Sequence, residues 1–215
     1  MGQKPDTFLG TEAVLLELHG LSIPTFRQAA RLLQHEELLS SKRGIGGGYY
    51  SRKPDPGVVT RLAAIVMRSE GVTPFDVLES YGVLFNVAAQ RAAGCRDQRL
   101  REELARHAIG SSDDPQIDNA AANFDWDVQV AHAVLAMCGN PSLRLLCRIV
   151  LEFGSVSGFR SLHSVASRRK HLDAAYIKLI DAILKGDRED SGRFATALTD
   201  MVNGWRKDDQ KNSRR

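Results

Sequence analysis

Apolar residues along most of this chain recur three and four positions apart, the spacing of a helix with one buried face. Between Thr11 and Leu18 the recurring residues are Val14, Leu15 and Leu18. Gly20 breaks the pattern, and Ser22 is placed to N-cap a second helix starting at Ile23, with Pro24 in its first turn. That second helix is expected to turn Phe26, Ala29, Ala30, Leu32 and Leu33 toward a core and Arg27, Gln28 and Arg31 outward. After Leu38-Leu39 the period changes: two short extended arms flank the run Gly44-Ile-Gly-Gly-Gly48, which predicts a hairpin. Pro54-Asp-Pro-Gly57 reads as a linker, because two prolines and a glycine in four residues disfavour continuing a helix or a strand.

Beyond the linker the pattern is helical almost throughout. The predicted segments are Val58 to Ser69, Pro74 to Ala93 with Thr73 as N-cap, Arg96 to Ala108, and Gln116 to Cys138. They continue with Pro141 to about Arg160, Arg168 to Leu184 and Glu189 to Trp205. The first of these carries its stripe on Val58, Leu62, Ile65 and Val66. Short loops between them imply antiparallel neighbours. The expected fold is therefore mainly α: a winged helix-turn-helix followed by a six- or seven-helix antiparallel bundle. The expected boundaries are 1–53 for the winged unit, 54–57 for the linker, 58–208 for the bundle and 209–215 for a disordered, polar tail.

Composition narrows the function classes. Hydrophobic residues make up 43% and charged residues 26% of 215, as in ordinary globular proteins. No apolar run reaches the roughly 18–20 residues of a bilayer span, so no membrane partner is expected. Met1 to Phe8 lacks the apolar stretch of a secretory signal. Cys95, Cys138 and Cys147 are too few and too irregular for a disulfide framework or a zinc knuckle, which suits a reducing, cytoplasmic location. The six histidines form no Ser-His-Asp, Cys-His or HExxH arrangement, so an enzyme is not expected. The glycine run lacks the flanking pattern of a nucleotide loop. A net charge of +3 is too small to name a partner by itself.

A helix, a glycine turn and a second helix form the unit that places its second helix in the major groove of DNA. In the hairpin, glycines let backbone approach a duplex, and Lys42, Arg43, Arg52 and Lys53 can neutralise phosphates. Here the chain resembles a known family. Thr11-Glu12, Gly20-x-Ser22-x-Pro-x-Phe-Arg27-Gln-Ala-x-Arg31-Leu-Leu, Glu36-Glu-Leu-Leu and Arg43-Gly-x-Gly look like the DNA-reading head of the GntR superfamily. Leu78-Glu79 through Ala88-Ala89, Asp127, and Cys138-Gly-Asn-Pro-Ser-Leu143 resemble the all-helical C-terminal domain of its FadR subfamily. The resemblance implies a transcriptional regulator that forms a homodimer on a palindromic double-stranded DNA operator and responds to a small-molecule effector. The candidate DNA-binding set is Thr11, Ser22, Thr25, Arg27, Gln28, Arg31, Lys42, Arg43, Gly44 and Gly46.

Departures from the family sharpen the expectations. The family places a helix ahead of the position of Leu9, where this chain has eight residues, so the first helix is expected to be missing. Part of the apolar face of Phe26, Ala30 and Leu33 would then lie uncovered. The chain looks N-terminally short, or like the second unit of a tandem member. Ala13 and Ile23 stand where the family usually has arginine, and Ile45 occupies the hairpin tip. These departures leave open an alternative, a DNA-binding-impaired sensor or heterodimerisation partner of a full-length relative. Many relatives hold a divalent metal through an Asp and three His. Here Asp127 matches the Asp, but the His positions fall on Ala131, Tyr176 and near Met201, and His132 is turned about 100° away. One ligand of four cannot hold a metal, so neither a metal nor another cofactor is expected. The candidate effector-binding set is Trp126, Asp127, Val130, Ala131, Phe153, Tyr176 and Met201, with the alternative that most of them simply pack the core.

Overall fold

Three strands and two helices make up the N-terminal unit in the computed structural model, which describes residues 6–53, 55–110, 120–156 and 166–212. The order is β1 (Phe8–Gly10), α1 (Glu12–His19), α2 (Ile23–His35), β2 (Leu39–Lys42) and β3 (Gly48–Ser51). The sheet runs β1-β3-β2, antiparallel throughout, with Leu39 opposite Ser51 and Lys42 opposite Gly48. Strand β1 is an element the period reading missed, since three residues are too short to show an alternation. Phe8 pairs with Tyr50, their ring centroids 5.2 Å apart. The turn at Gly20 is left-handed (φ +60°), and its N–H closes α1 onto Leu16 and Glu17 carbonyls.

The core of this unit is small. Leu15, Phe26, Ala30 and Leu39 are its buried members, with Leu9, Leu16 and Tyr49 packed at its edge. Phe26 meets Tyr49 edge to face at 5.1 Å. Three of the five residues expected to face inward from α2 do not: Ala29 is exposed, Leu32 is 62% exposed and Leu33 42%. Val14 and Leu18 of α1 are likewise exposed. Helical period marks an apolar face but not whether anything covers it, and of these α1 and α2 residues the described residues cover only Leu15, Phe26 and Ala30.

The chain divides into two compact units, Met1–Val59 and Thr60–Arg215. Helix α3 (Pro56–Ser69) begins inside the segment read as a linker. The Asp55 carboxylate accepts the Gly57 N–H at 2.9 Å, and Pro56 takes the first helical position, where a missing N–H costs nothing. The second unit adds α4 (Pro74–Ala92), α5 (Gln98–Gly110), α6 (Ala120–Met137), α7 (Pro141–Val156), α8 (Ala166–Lys185) and α9 (Arg188–Asn212). The chain thus forms a winged helix followed by a helical bundle. The N-terminal end of the predicted Gln116–Cys138 helix and the C-terminal end of the predicted Pro141–Arg160 helix lie outside the described residues. Helix α9 continues to Asn212, and Arg168 holds Asp209 through two bonds of 2.8 and 2.6 Å, so the chain expected to fray from 209 is helical there.

Capping explains where several helices begin. Thr73 and Asp76 form a reciprocal capping box at α4. Asn140 Oδ1 accepts from the Ser142 and Leu143 N–H groups, both at 3.1 Å, to start α7 after the left-handed Gly139. Helix α4 is the spine of the bundle, burying Val77, Leu78, Tyr81, Phe85, Ala88, Ala89 and Ala92. It packs closely on α9 because Gly82 faces Thr199, where a Cβ would come within 3.1 Å of Oγ1. Helix α3 departs from its predicted face: Thr60 and Ala64 are buried, while Leu62, Ile65 and Val66 are exposed.

Candidate nucleic-acid interface and effector core

Thr11 and Ser22, both in the expected DNA-contacting set, are helix caps. Thr11 Oγ1 accepts the Val14 N–H at 3.4 Å, and Ser22 Oγ accepts the Thr25 N–H at the same distance. Ser22 Oγ also lies 2.8 Å from Thr25 Oγ1, which orients both hydroxyls at the start of α2. A helix start with its N–H groups pointing outward suits an anion such as a phosphate. Thr25, Gln28 and Arg31 are exposed on α2.

Arg27 is not free. Its Nη2 lies 2.8 Å from Glu12 Oε1, and its Nε lies 3.2 and 3.4 Å from the two carboxylate oxygens. Tyr49 donates its hydroxyl to Glu12 Oε2 at 3.3 Å. The hydrogen bond from Arg27 holds the Glu12 carboxyl below its usual range, and Glu12 in turn raises Arg27. Burial first, then the Glu12 charge, pushes the Tyr49 phenol up. The candidate DNA-binding set holds Arg27 and leaves out Glu12, which enters the sequence reading only as part of the Thr11-Glu12 motif. A carboxylate in the first turn of α1 was the available signal, but nothing local pairs residues fifteen apart on different helices.

The wing carries Lys42 and Arg43 at the end of β2, both exposed. Lys42 Nζ sits 4.4 Å above the Tyr50 ring, and Tyr50 donates its hydroxyl to the Gly46 carbonyl at 2.9 Å. This ties the base of the turn to one cation and leaves Ile45 wholly exposed at its tip. The glycines serve different ends. Gly44 and Gly46 have positive φ and open space around them, whereas a Cβ on Gly48 would sit 2.6 Å from Phe8 Cε2. Gly48 is thus needed for β1 to pack, and Gly44 and Gly46 for the turn to close.

In the second unit all seven expected effector residues belong to the bundle interior or its edge. Val130, Ala131, Phe153 and Tyr176 are buried in the main core, with Trp126 and Met201 half-buried against it. Trp126 meets Tyr176 edge to face at 5.3 Å. Asp127, 5% exposed, binds Arg169 Nη1 at 3.0 Å. Arg169 also pairs with Asp173 one turn along α8 and lies 4.8 Å over the Trp126 ring. Burial works against the Arg169 charge, but the Asp173 and Asp127 carboxylates outweigh it and raise the guanidinium. Tyr81 and Tyr176 are both raised well above an ordinary phenol, by burial first and then by neighbouring charge. Arg169 is the residue sequence reasoning missed, and its i,i+4 spacing to Asp173 was the visible clue. His132 is exposed. Among the described residues no three His, Cys, Asp or Glu side chains come together as metal ligands.

Neither protein-family models nor curated proteins give a match to this chain. Solved structures do. Streptococcus agalactiae GntR aligns over 93% of this chain and 90% of its own, with a TM-score of 0.71 at 16% identity. The chain shares the fold of that GntR protein. Escherichia coli McbR/YncC aligns over 92% of this chain and 85% of its own at 17% identity, with a TM-score of 0.47. The GntR fold accounts for both units, the winged helix and the helical bundle. No helix among the described residues is long and apolar enough to cross a membrane.

Proposed function

We propose that this chain is a DNA-binding transcriptional regulator of the FadR type, whose grip on a palindromic operator is set by a small effector bound without metal in the helical unit. The observation that carries the reading is the winged helix itself. Helix α2 turns Thr25, Gln28 and Arg31 outward beside a capped start, and the wing adds Arg43. A helix of this kind fits the major groove, with its N-terminal side chains against base edges and the wing against phosphates. The proposed DNA contacts are Thr25, Arg27, Gln28 and Arg31 from α2, and Lys42 and Arg43 with the backbone of Gly44 and Gly46 from the wing. Thr11 and Ser22 add capped helix starts.

The exposed stripe Leu62, Ile65 and Val66 on α3 supports a homodimer, since one copy leaves a row of apolar side chains in water. Trp126, Asp127 and Tyr176, with Arg169 added, are the polar and aromatic groups an effector would meet in the bundle. Ala131, Tyr176 and Met201 stand where relatives place metal-binding histidines, and side chains without an imidazole favour an effector held without metal. The cytoplasm suits both a DNA ligand and the free thiols Cys95, Cys138 and Cys147.

Fluorescence anisotropy with duplexes from the region upstream of the gene tests the reading. Saturable binding of one duplex over scrambled controls, weakening steeply as salt rises, is the expected result. Equal binding to every duplex, or no binding at low salt, would remove the operator-binding function and leave a sensor or heterodimerisation partner.

A further inference from the structure

At one end of the helical unit the chain lines a surface cavity of about 580 Å³, apart from the effector core described above. Three arginines reach it from three different elements: Arg91 from the last turn of α4, Arg96 from the turn into α5, and Arg188 from the start of α9. Met137 and Cys138, both buried, lie at its inner wall. The volume falls within the range of about 300–1,000 Å³ typical of small-molecule sites.

Two of the three arginines are positioned rather than merely nearby. Arg91 donates its Nε to the Cys138 carbonyl at 2.9 Å, which fixes the plane of its guanidinium against the end of α6. Arg188 lies across the backbone of Gly94, where a Cβ would come within 2.8 Å of its Nη2. Gly94 therefore makes the room that Arg188 occupies. The carboxylate lining the cavity is that of Asp97, and its Oδ1 is engaged by the Arg99 and Leu100 N–H groups, at 3.0 and 3.3 Å, as the start of α5. Elsewhere Arg27, Arg168, Arg169 and Arg193 all pair with carboxylates. Among the described residues no ion pair engages Arg91, Arg96 or Arg188. Three guanidinium charges against one capping carboxylate leave an excess of two positive charges around a cavity with an apolar wall, and such a wall strengthens the field within it.

We propose that this cavity binds a small polyanion carrying carboxylate or phosphate groups, with Arg91, Arg96 and Arg188 as its ligands. Guanidinium forks match planar carboxylates and phosphate edges with paired hydrogen bonds, and a ligand of two or more negative charges neutralises the excess. The site shares no residue with the effector core and does not rest on DNA binding.

Calorimetric titration of the purified full-length chain at low salt, with citrate as the carboxylate probe and inorganic pyrophosphate as the phosphate probe, tests this. Cys95 gives an independent readout, because it lines the cavity and is the partly exposed thiol beside buried Cys138 and Cys147. Its alkylation by iodoacetamide should slow as the site fills. The expected result is saturable, salt-sensitive binding of at least one probe, with matching protection of Cys95. The Arg96→Ala/Arg188→Ala double variant should lose about tenfold or more in affinity, the scale of a lost charge-assisted contact, together with the protection. Arg99→Ala, which removes an exposed arginine that does not line the cavity, should leave both unchanged. Circular dichroism and Tm confirm that the variants are folded. Binding of one probe alone identifies the anionic group preferred. No saturable binding of either probe, equal binding by the double variant, or binding without Cys95 protection would overturn the proposal.

Discussion

Removing Arg169 tests how the bundle tolerates its buried charge. The Asp127 and Arg169 side chains are 6% and 14% exposed, and Asp173, the second carboxylate, is 21% exposed. Arg169→Met keeps roughly the length of the side chain and removes its charge, which leaves the buried Asp127 carboxylate without its cation. Stripping one partner from a buried pair costs about 3–5 kcal/mol, and the partly solvated Asp173 places this case near the lower end. For a chain of this size each kcal/mol lowers Tm by about 2–4 °C, so a fall of about 6–12 °C is expected. Asp127→Leu should cost less, because Arg169 keeps Asp173. The double variant should be more stable than Arg169→Met alone, since no charge is then stranded beside Trp126. Urea and thermal unfolding followed by circular dichroism measure all three stabilities. Tryptophan emission reports the local change, because Arg169 covers the Trp126 ring at 4.8 Å. Additive losses in the double variant, or an Arg169→Met loss below about 1 kcal/mol, would refute the account.

Three further outcomes follow from other features. Leu62→Glu places a charge in the exposed stripe of α3, and light scattering should show a dimer reduced to a monomer; an unchanged mass would exclude this face. Burial pushes the Cys147 thiol up to about 12. The folded chain therefore holds a proton that the unfolded chain gives up from about pH 8.5–9. The resulting stability is complete below that point and is lost as pH rises toward 12. Cys147→Ala should flatten the alkaline fall in urea midpoint, and an unchanged slope would count against the shift. Gly48→Ala brings a Cβ to 2.6 Å from Phe8 Cε2 and 2.7 Å from the Gly10 carbonyl. It should destabilise the winged unit by about 1–3 kcal/mol, seen as early proteolysis within residues 6–53 while the bundle resists; cleavage at the wild-type rate would refute the clash.

The parts of this fold that could be read in advance are those with local causes. Ser22 capping α2 and Thr73 capping α4 each depend on a few neighbouring residues, and each appears where the pattern placed it. Misreadings arose where a local signal has two outcomes. Pro54-Asp-Pro-Gly57 breaks a helix in progress but, with Asp55 as cap, also starts one. Apolar spacing on α2 and α3 marked Leu32, Leu33, Leu62 and Ile65 as facing inward, yet period cannot say whether a neighbour exists to cover them. The pairs Glu12–Arg27 and Asp127–Arg169 were beyond reach for another reason: they join residues fifteen and forty-two apart on separate helices. The same limit applied to the arginine-lined cavity, whose three cations are scattered between positions 91 and 188.

If Arg27 contacts DNA as proposed, Glu12 makes it a contested ligand. A phosphate or guanine approaching α2 must take the guanidinium from a carboxylate that already holds it by two nitrogens, with Tyr49 steadying the other side. An arginine already neutralised has fewer counterions to release, so on the proposed reading it adds little to indiscriminate attraction for DNA. Its exchange from Glu12 to a base edge is favourable only where the new geometry is at least as good, which turns the pair into a filter against wrong sequences. Freed from Glu12, the same arginine would bind more strongly and choose less well.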